Sequence, residues 1–508
     1  MEDSKRIAKN TLVLYIRMFF VMAINIYTSR LVLATLGVED YGIINAVGGI
    51  VGMFALVSGS MSNSVMRFIT FELGRSEKEN LIKVFSTSIN VMLVLALIVL
   101  LLGETVGVWF LNVKMNIPAD RMTAANWVLQ FSLFSFAVNI LSIPFNATII
   151  AYERMFIFAF ISILEVVLKL IIVYVLLVTK FDRLIFYAFL LLIVAIIIRL
   201  IYWGYCRKHF DECRYRLIYD KPLLSQMLGF TGWNFFAQGM TVVNQQGTNI
   251  VMNLYFGVLI NAARGISAQV QSVVVQFVNS FTVALNPQIT KSYASGDIAF
   301  MHRLVFNGAK ISYYLTLLLA TPLFIEAEAV LRMWLGVVPD HAVPFVRLTL
   351  LSILVSIIPC TLITAVHATG KIRNFMIASG MTQFLFFLLT IVAYHLGTEP
   401  ECAYWLLIID YFILLFVQLL FSKTLIQLSI REYFIKVLLP IVYVTILSTV
   451  IPWIIINLLE PTDWRLLFTL MLCTICTLSL SYYIGFTKQE RKKVKNVVIN
   501  KLNLFKNR

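Results

Sequence analysis

The sequence is a succession of long apolar stretches, separated by short polar interruptions, that continues to about residue 486. Each stretch approaches the roughly 20 residues that a helix needs to cross about 30 Å of hydrocarbon. Of the 508 residues, 60% are hydrophobic and 13% are charged, whereas a soluble domain carries about 25% charged residues. The chain is therefore predicted to be an all-α, polytopic membrane protein and not a soluble enzyme.

Fourteen membrane-spanning helices are predicted from these stretches. The second and the eighth are the most polar, because Ser, Asn and Gln dilute their hydropathy. The predicted bounds are 11–35, 41–71, 82–103, 123–150, 156–179, 184–205, 226–255, 258–288, 304–326, 343–366, 374–396, 402–422, 434–457 and 464–486. The loops between them are too short to form domains, so the protein is expected to act between its helices.

An internal repeat organises these helices. Leu36-Gly37-Val38 resembles Phe256-Gly257-Val258, and Ala151-Tyr152-Glu153-Arg154 resembles Ala368-Thr369-Gly370-Lys371 at nearly the same offset. The offset aligns predicted helices 1–6 with 7–12. The predicted organisation is an N-lobe (1–206), a cytoplasmic basic loop (207–225), a C-lobe (226–424), helices 13 and 14 (425–486) and a basic cytoplasmic tail (487–508). Both lobes then enter the membrane in the same direction, and many transporters bind substrate at such a repeat interface.

Lys and Arg concentrate in alternate loops and in the C-terminal tail, whereas the intervening loops carry mainly Asp and Glu. The positive-inside rule then places both termini in the cytoplasm. The net charge of +15 is explained by cytoplasmic loops that attract anionic lipid headgroups of the bilayer. No groove-reading motif accompanies these charges, so no nucleic-acid partner is expected.

Polar side chains within the spans concentrate on predicted helices 1, 2, 7 and 8, which are equivalent pairs under the repeat. In helix 7 they recur at steps of three and four residues and so form one stripe. A water-accessible cavity between the lobes, lined by these four helices, is the simplest arrangement. The candidate substrate-binding residues are Arg17, Asn25, Arg30, Arg67, Asn234, Gln238, Gln245, Arg264 and Gln271.

The same residues also have structural interpretations. Asn and Gln can bond one helix to another, and each of these arginines lies close enough to a helix end to snorkel toward the interface. Gly48 and Gly52 have the spacing of small residues that lets helices pack closely.

Further charges lie within the other spans. Glu165 and Lys169 are one helical turn apart, a spacing that allows them to neutralise each other, although a proton or cation relay is the alternative. Asp410 and Arg199 are interpreted as members of structural ion pairs, and Asp410 is also a candidate for ion coupling. The five histidines have no metal spacing and the Ala368-Thr369-Gly370-Lys371 turn lacks the glycine of a phosphate-binding loop, so no metal or cofactor is expected.

The chain resembles the Wzx-type polysaccharide transporters of the multidrug/oligosaccharidyl-lipid/polysaccharide (MOP) superfamily. The motifs that carry the resemblance are Ala8-Lys9-Asn10-Thr11, Leu36-Gly37-Val38-Glu39-Asp40-Tyr41-Gly42 and Ala368-Thr369-Gly370-Lys371. The resemblance implies a MOP fold of six, six and two helices in the bacterial inner membrane. It also implies a flippase that moves a polyprenyl-diphosphate-linked oligosaccharide to the periplasmic leaflet, coupled to a proton or sodium ion, with polymerase and glycosyltransferase partners.

The chemistry of these residues suits that cargo. Guanidinium groups bind phosphate through paired hydrogen bonds, so Arg30, Arg67 and Arg264 are expected to contact the diphosphate. Two alternatives within the superfamily are a multidrug cation antiporter, for which helices 1, 2, 7 and 8 offer only Glu72 as an acid, and a lipid II flippase. A membrane polysaccharide polymerase or ligase belongs to a different class and would need a sizeable periplasmic loop, which the predicted spans do not leave.

Overall fold

The protein is described by a computed structural model that covers residues 2–52, 54–75, 77–115, 117–179, 181–218, 220–335, 337–458, 465–488 and 490–491. The predicted basic tail (487–508) therefore lies outside the described residues except for 487, 488, 490 and 491. Helices account for most of the described chain, and no strand occurs in it. The predicted all-α class is confirmed.

The helices follow one another with short connections. They are α1 (Glu2–Gly52), α2 (Ala55–Arg75), α3 (Lys78–Leu102), α4 (Val108–Val113), α5 (Met122–Ala151), α6 (Met155–Val178), α7 (Arg183–His209), α8 (Lys221–Ala294), α9 (Ile298–Ile325), α10 (Ala327–Leu335), α11 (Ala342–Ile357), α12 (Cys360–Thr369), α13 (Arg373–His395), α14 (Cys402–Leu425), α15 (Ile430–Tyr433), α16 (Leu439–Asn457) and α17 (Arg465–Leu480). Single π-helical turns join α3 to α4, join α15 to α16 and follow α17.

Twelve helices in the described part of the chain are long and apolar enough to cross a membrane. The protein is thus a multi-pass membrane protein. The second and seventh predicted spans do not belong to these twelve. The second is divided between the end of α1 and α2, with Phe54 in a turn, whereas the seventh is helical throughout within α8. Polar residues lower the hydropathy of both. The eighth, which was expected to be among the weakest, qualifies over Ala263–Ala294. The count of fourteen spans stays a prediction.

Two long helices bend at glycines in equivalent positions of the predicted repeat. Gly37 in α1 has φ 83° and ψ 170°, and Gly257 in α8 has φ 80° and ψ −174°. This region of the backbone map is accessible essentially to glycine alone. A second pair of equivalent positions in the predicted repeat also has positive φ: Glu153 has φ 58° and Gly370 has φ 75°.

The chain divides into an N-terminal unit, Ala8–Phe235, and a C-terminal unit, Phe236–Arg508 with Met1–Ile7. In the N-terminal unit, α5 packs against α2, α3 and α7. Part of its core is formed by buried apolar side chains, among them Ile43, Val47, Leu111, Leu129 and Leu184.

In the C-terminal unit, α9 packs against α11, α12, α16 and α17, while α14 packs against α11, α12 and α13. The two last helices, α16 and α17, are therefore in direct contact with α9. The side chains that fill this packing are buried and mostly apolar, including Phe345, Leu362, Val366 and Phe375.

An ionic network in the N-terminal unit joins three segments. Arg121, just before α5, bonds to Asp40 in the second limb of α1, and its Nη1 lies 2.6 Å from Oδ2 of Asp182. Asp182 also caps α7 by accepting hydrogen bonds from the backbone N–H groups of Leu184 and Ile185. Burial raises the pKa of Asp182, but the bonds from Ile185 and Arg121 outweigh it and hold the pKa below the ordinary value.

We expect the variant Asp182→Asn to be less stable than the natural protein at pH 7, by about 1 kcal/mol or less, because the lost ion pair is partly exposed. Asn retains the helix cap. The pKa of Asp182 is lower in the folded protein than in the unfolded one, so the ion pair contributes fully to stability above the unfolded pKa of about 3.9. This contribution is lost as the pH falls through the lower pKa of the folded protein. The variant should therefore unfold at a lower temperature than the natural protein at pH 7 and at pH 5, and the two unfolding temperatures should converge as the pH falls toward 3. A difference that stays constant over this range would contradict the assignment.

Candidate functional site

Arg264 lies on α8 shortly after the bend at Gly257. Its Nη2 donates to the backbone carbonyl of Gln245, on the other limb of the helix, at 2.8 Å. Its guanidinium carbon is 6.0 Å from the ring centroid of Tyr404 on α14. The bend is what allows residues so far apart on one helix to meet. Among the described residues, Nε and Nη1 of this half-buried arginine have no hydrogen-bond partner.

Hydroxyl and aromatic groups of the C-terminal unit lie beside Arg264. The Tyr404 hydroxyl is 2.8 Å from the hydroxyl of buried Ser267, one turn along α8 from Arg264. The ring centroids of Tyr404 and Phe345 are 4.7 Å apart. We call Arg264, Ser267 and Tyr404, with the Gln245 carbonyl, the Arg264 cluster. A cation held beside hydroxyl donors and aromatic faces is suited to binding an anion or a sugar.

An acid close in sequence to this cluster has a partner of its own. Glu401, close in sequence to Tyr404, lies with its Oε1 2.5 Å from Nδ1 of His341. The environment of Arg264 is thus basic and aromatic, with the adjacent carboxylate directed to an imidazole.

Two candidate arginines of the N-terminal unit pack on aromatic rings. The guanidinium of Arg67 lies 4.6 Å from the ring centroids of both Phe68 and Phe71. Arg17 lies 4.4 Å from the ring centroid of Phe158 on α6. Stacking of this kind stabilises a cation that has left bulk water, so both side chains are directed into aromatic surroundings.

The remaining candidates differ in exposure. Arg30 and Asn25 are exposed on α1, Gln245 is exposed on α8, and Gln238 and Gln271 are half-buried. The predicted helix 7 stripe is not uniform, since Asn234 is only 2% exposed and its Nδ2 donates to the Phe230 carbonyl at 3.1 Å.

A cavity of about 320 Å³ lies within the N-terminal unit and includes Gly48 and Gly52 in its lining. Among the described residues, no atom lies within 4 Å of a Cβ built at either glycine. Close helix packing at these glycines is therefore not confirmed within the N-terminal unit, where α5 leaves space opposite them. Ser132, Ser135 and Asn139 of α5 supply polar groups to the same cavity.

The charges proposed for ion coupling fall into two groups. Lys169 and Glu165 form an ion pair of 2.6 Å, as their spacing predicts. Asp410, in contrast, is 0% exposed, and neither of its carboxyl oxygens has a hydrogen-bond partner in the described part of the chain. The predicted structural ion pair of Asp410 is not formed with any described residue, and α14, which carries Asp410, packs against α11, α12 and α13.

Sequence reasoning missed a buried cation. Lys310 on α9 is 1% exposed, and its Nζ lies 2.9 and 2.7 Å from the two carboxyl oxygens of Glu490. A lysine inside an apolar helix was a visible signal. Its partner could not be inferred, because Glu490 belongs to the segment after the last helix. The two residues help to line a cavity of about 420 Å³.

Comparison with solved structures identifies the architecture. A MATE transporter solved as a point mutant superimposes with a TM-score of 0.74, covering 84% of this chain and 96% of that one at 13% identity. This chain has the MATE transporter fold. An outward-facing multidrug-resistance MATE transporter of the MOP superfamily gives a TM-score of 0.70 at 13% identity, with 84% and 96% covered. The sequence itself matches no protein-family model and no curated protein.

A third structure with the MATE fold belongs to a transporter whose binding pocket is described as reversed in polarity. It is a MOP superfamily transporter from Pyrococcus furiosus, with a TM-score of 0.68 at 13% identity and with 84% of this chain and 97% of that one covered. Its binding pocket is described as having reversed polarity, which suggests a different function for that protein. The MATE fold thus fixes the architecture of the present chain and leaves its substrate to be argued from its own residues.

Proposed function

We propose that this protein is a flippase that moves a polyprenyl-diphosphate-linked oligosaccharide across the membrane by ion-coupled alternating access. The observation that carries the proposal is the Arg264 cluster, in which a half-buried guanidinium has two nitrogens without a partner among the described residues. A diphosphate is a strong acceptor for such donors. The neighbouring Tyr404 and Ser267 hydroxyl groups suit the phosphate-proximal sugar.

Other residues support the same cargo. Arg67, whose guanidinium carbon lies 4.6 Å from the ring centroids of two phenylalanines, and exposed Arg30 supply two further cations. We assign both to diphosphate contact. The cavity beside Ser132, Ser135 and Asn139 offers hydroxyl and amide groups for sugars. The proposed flippase is located in a bacterial inner membrane, where it acts together with glycosyltransferases and a polymerase.

The second candidate is a multidrug cation antiporter with the same fold. It is favoured by one observation, the buried carboxyl of Asp410. This carboxyl group would attract a cation substrate once it is ionised and accessible, whereas Arg264 would repel that substrate. The two candidates therefore predict opposite effects when Arg264 loses its charge.

The test measures flipping of a fluorescent polyprenyl-diphosphate oligosaccharide in proteoliposomes. We expect Arg264→Ala to slow flipping at least about tenfold, because a hydrogen bond to a charged group contributes about 1.5–3 kcal/mol and 1.4 kcal/mol corresponds to a factor of ten. Arg264→Lys should be intermediate, since it keeps the charge and loses the paired donors.

The matched control is Arg332→Ala, which removes an arginine whose guanidinium pairs with exposed Glu328 at 2.6 Å. It should flip at the natural rate. Unfolding temperatures of all variants establish whether Arg264 acts only by holding the two limbs of α8 together. The proposal would be overturned if folded Arg264→Ala flipped the oligosaccharide at the natural rate. It would also be overturned if this variant exported a lipophilic cation faster than the natural protein does.

A further inference from the structure

Asp410 stands in an environment that does not suit a charged carboxylate. It is 0% exposed on α14, and both carboxyl oxygens lack hydrogen-bond partners among the described residues. Gln418, two turns further along the same face of α14, also has a buried side-chain oxygen without a partner there. Burying an ionised carboxylate without compensation is so unfavourable that the group takes up a proton instead.

No charged group among the described residues compensates Asp410. It forms neither an ion pair nor a hydrogen bond with any of them. The charged and titratable groups of α11, α12 and α13 are Arg347, Cys360, His367, Arg373, Tyr394 and His395. Arg347 donates to the Phe324 carbonyl, and Tyr394 donates to the Pro400 carbonyl. Arg431 and Glu432 of α15 lie beyond the other end of α14.

A metal cation is a poor occupant of the same position. Hard cations take several oxygen ligands, and the described residues contain no group of three or more His, Cys, Asp or Glu side chains that could hold one. The other candidate carboxylate for coupling, Glu165, is already held by Lys169.

We propose that Asp410 is a proton-binding site of the transporter, protonated in the conformation described here and deprotonated in a conformation that admits water to α14. One proton then crosses with each transport cycle. This inference rests on the proposed function for its role in transport, although the protonation of Asp410 stands independently of the cargo.

The decisive variant is Asp410→Asn, which preserves the shape of the neutral carboxyl and cannot release a proton. In proteoliposomes, a gradient of one pH unit can drive at most about a tenfold concentration ratio of cargo for one proton per cycle. We expect the natural protein to approach that ratio and Asp410→Asn to reach a ratio near one, while its flipping without a gradient stays within about twofold. Asp211→Asn, which changes an exposed carboxylate, should behave as the natural protein.

Infrared spectroscopy of the purified protein provides a readout that needs no cargo. The carbonyl band of a protonated carboxyl group should be present at neutral pH and absent from Asp410→Asn. The assignment is overturned if the band does not differ between the natural protein and Asp410→Asn. It is also overturned if Asp410→Asn still maintains a tenfold cargo ratio, or if this variant flips no cargo either with or without a gradient. If the natural protein flips no oligosaccharide but the band is present, the proposed function fails and the proton site stands.

Discussion

Replacing Glu490 by alanine is expected to destabilise the C-terminal unit by roughly 3–5 kcal/mol, because it leaves the ammonium group of Lys310 buried without a counter-charge. Lys310 is 1% exposed and binds both carboxyl oxygens of Glu490. The ammonium group also donates to the Gly485 carbonyl at 3.4 Å, which is a long bond. The loss of Glu490 therefore removes nearly all compensation at once.

The two partners are not equivalent, and their difference provides the control. Glu490 is 19% exposed, so it can reach water when Lys310→Met removes the cation, and this variant should lose less stability than Glu490→Ala. The double variant should recover most of the loss, since replacing a buried pair by apolar groups is often neutral. Unfolding temperature and the rate of tryptic cleavage after Lys488 and Arg491 measure the effect. Equal destabilisation by the two single variants would contradict this account.

Gly257→Ala is the second substitution with a large expected effect. The bend has φ 80° and ψ −174°, and a side chain held there costs about 1–3 kcal/mol of backbone strain. If the helix straightens to relieve this strain, Arg264 separates from the Gln245 carbonyl. We therefore expect a lower unfolding temperature together with slower flipping than in the natural protein.

Gly265→Ala is the matched control on the same helix. A Cβ at Gly265 would meet no atom within 4 Å, and alanine in a regular helix is favoured over glycine by about 1 kcal/mol. It should leave the protein equally or more stable. Gly37→Ala, at the equivalent bend of α1, should reproduce the defect of Gly257→Ala. If Gly257→Ala behaved like Gly265→Ala, the bend would not depend on glycine.

Helix positions were largely predictable from the sequence, because long apolar runs bounded by charges determine them. The spans predicted at 374–396 and 123–150 correspond to Arg373–His395 and Met122–Ala151. The short α10 and the break between α11 and α12 were missed, since neither interrupts the apolar pattern for long. The bends at Gly37 and Gly257 were predicted only as helix boundaries, because composition does not distinguish a loop from a kink.

Interactions within a helix were also predictable, whereas interactions between helices were not. The pair Glu165–Lys169 follows from local spacing. The isolation of Asp410 depends on which helices surround α14, and the partner of Lys310 is distant in sequence. For Asp410 both a structural ion pair and a role in ion coupling had been predicted, and only tertiary packing distinguishes a paired from an unpaired carboxyl group.

The attachment of the C-terminal segment to α9 has a practical consequence. Helices α16 and α17 pack on α9, the Tyr313 hydroxyl on α9 lies 2.9 Å from that of Thr445 on α16, and Glu490 closes the segment onto Lys310. A fluorophore linked near Arg491 should therefore report the orientation of the C-terminal unit faithfully. Paired with a second dye on the other unit, it provides a ruler for the transport cycle that leaves every proposed ligand position untouched.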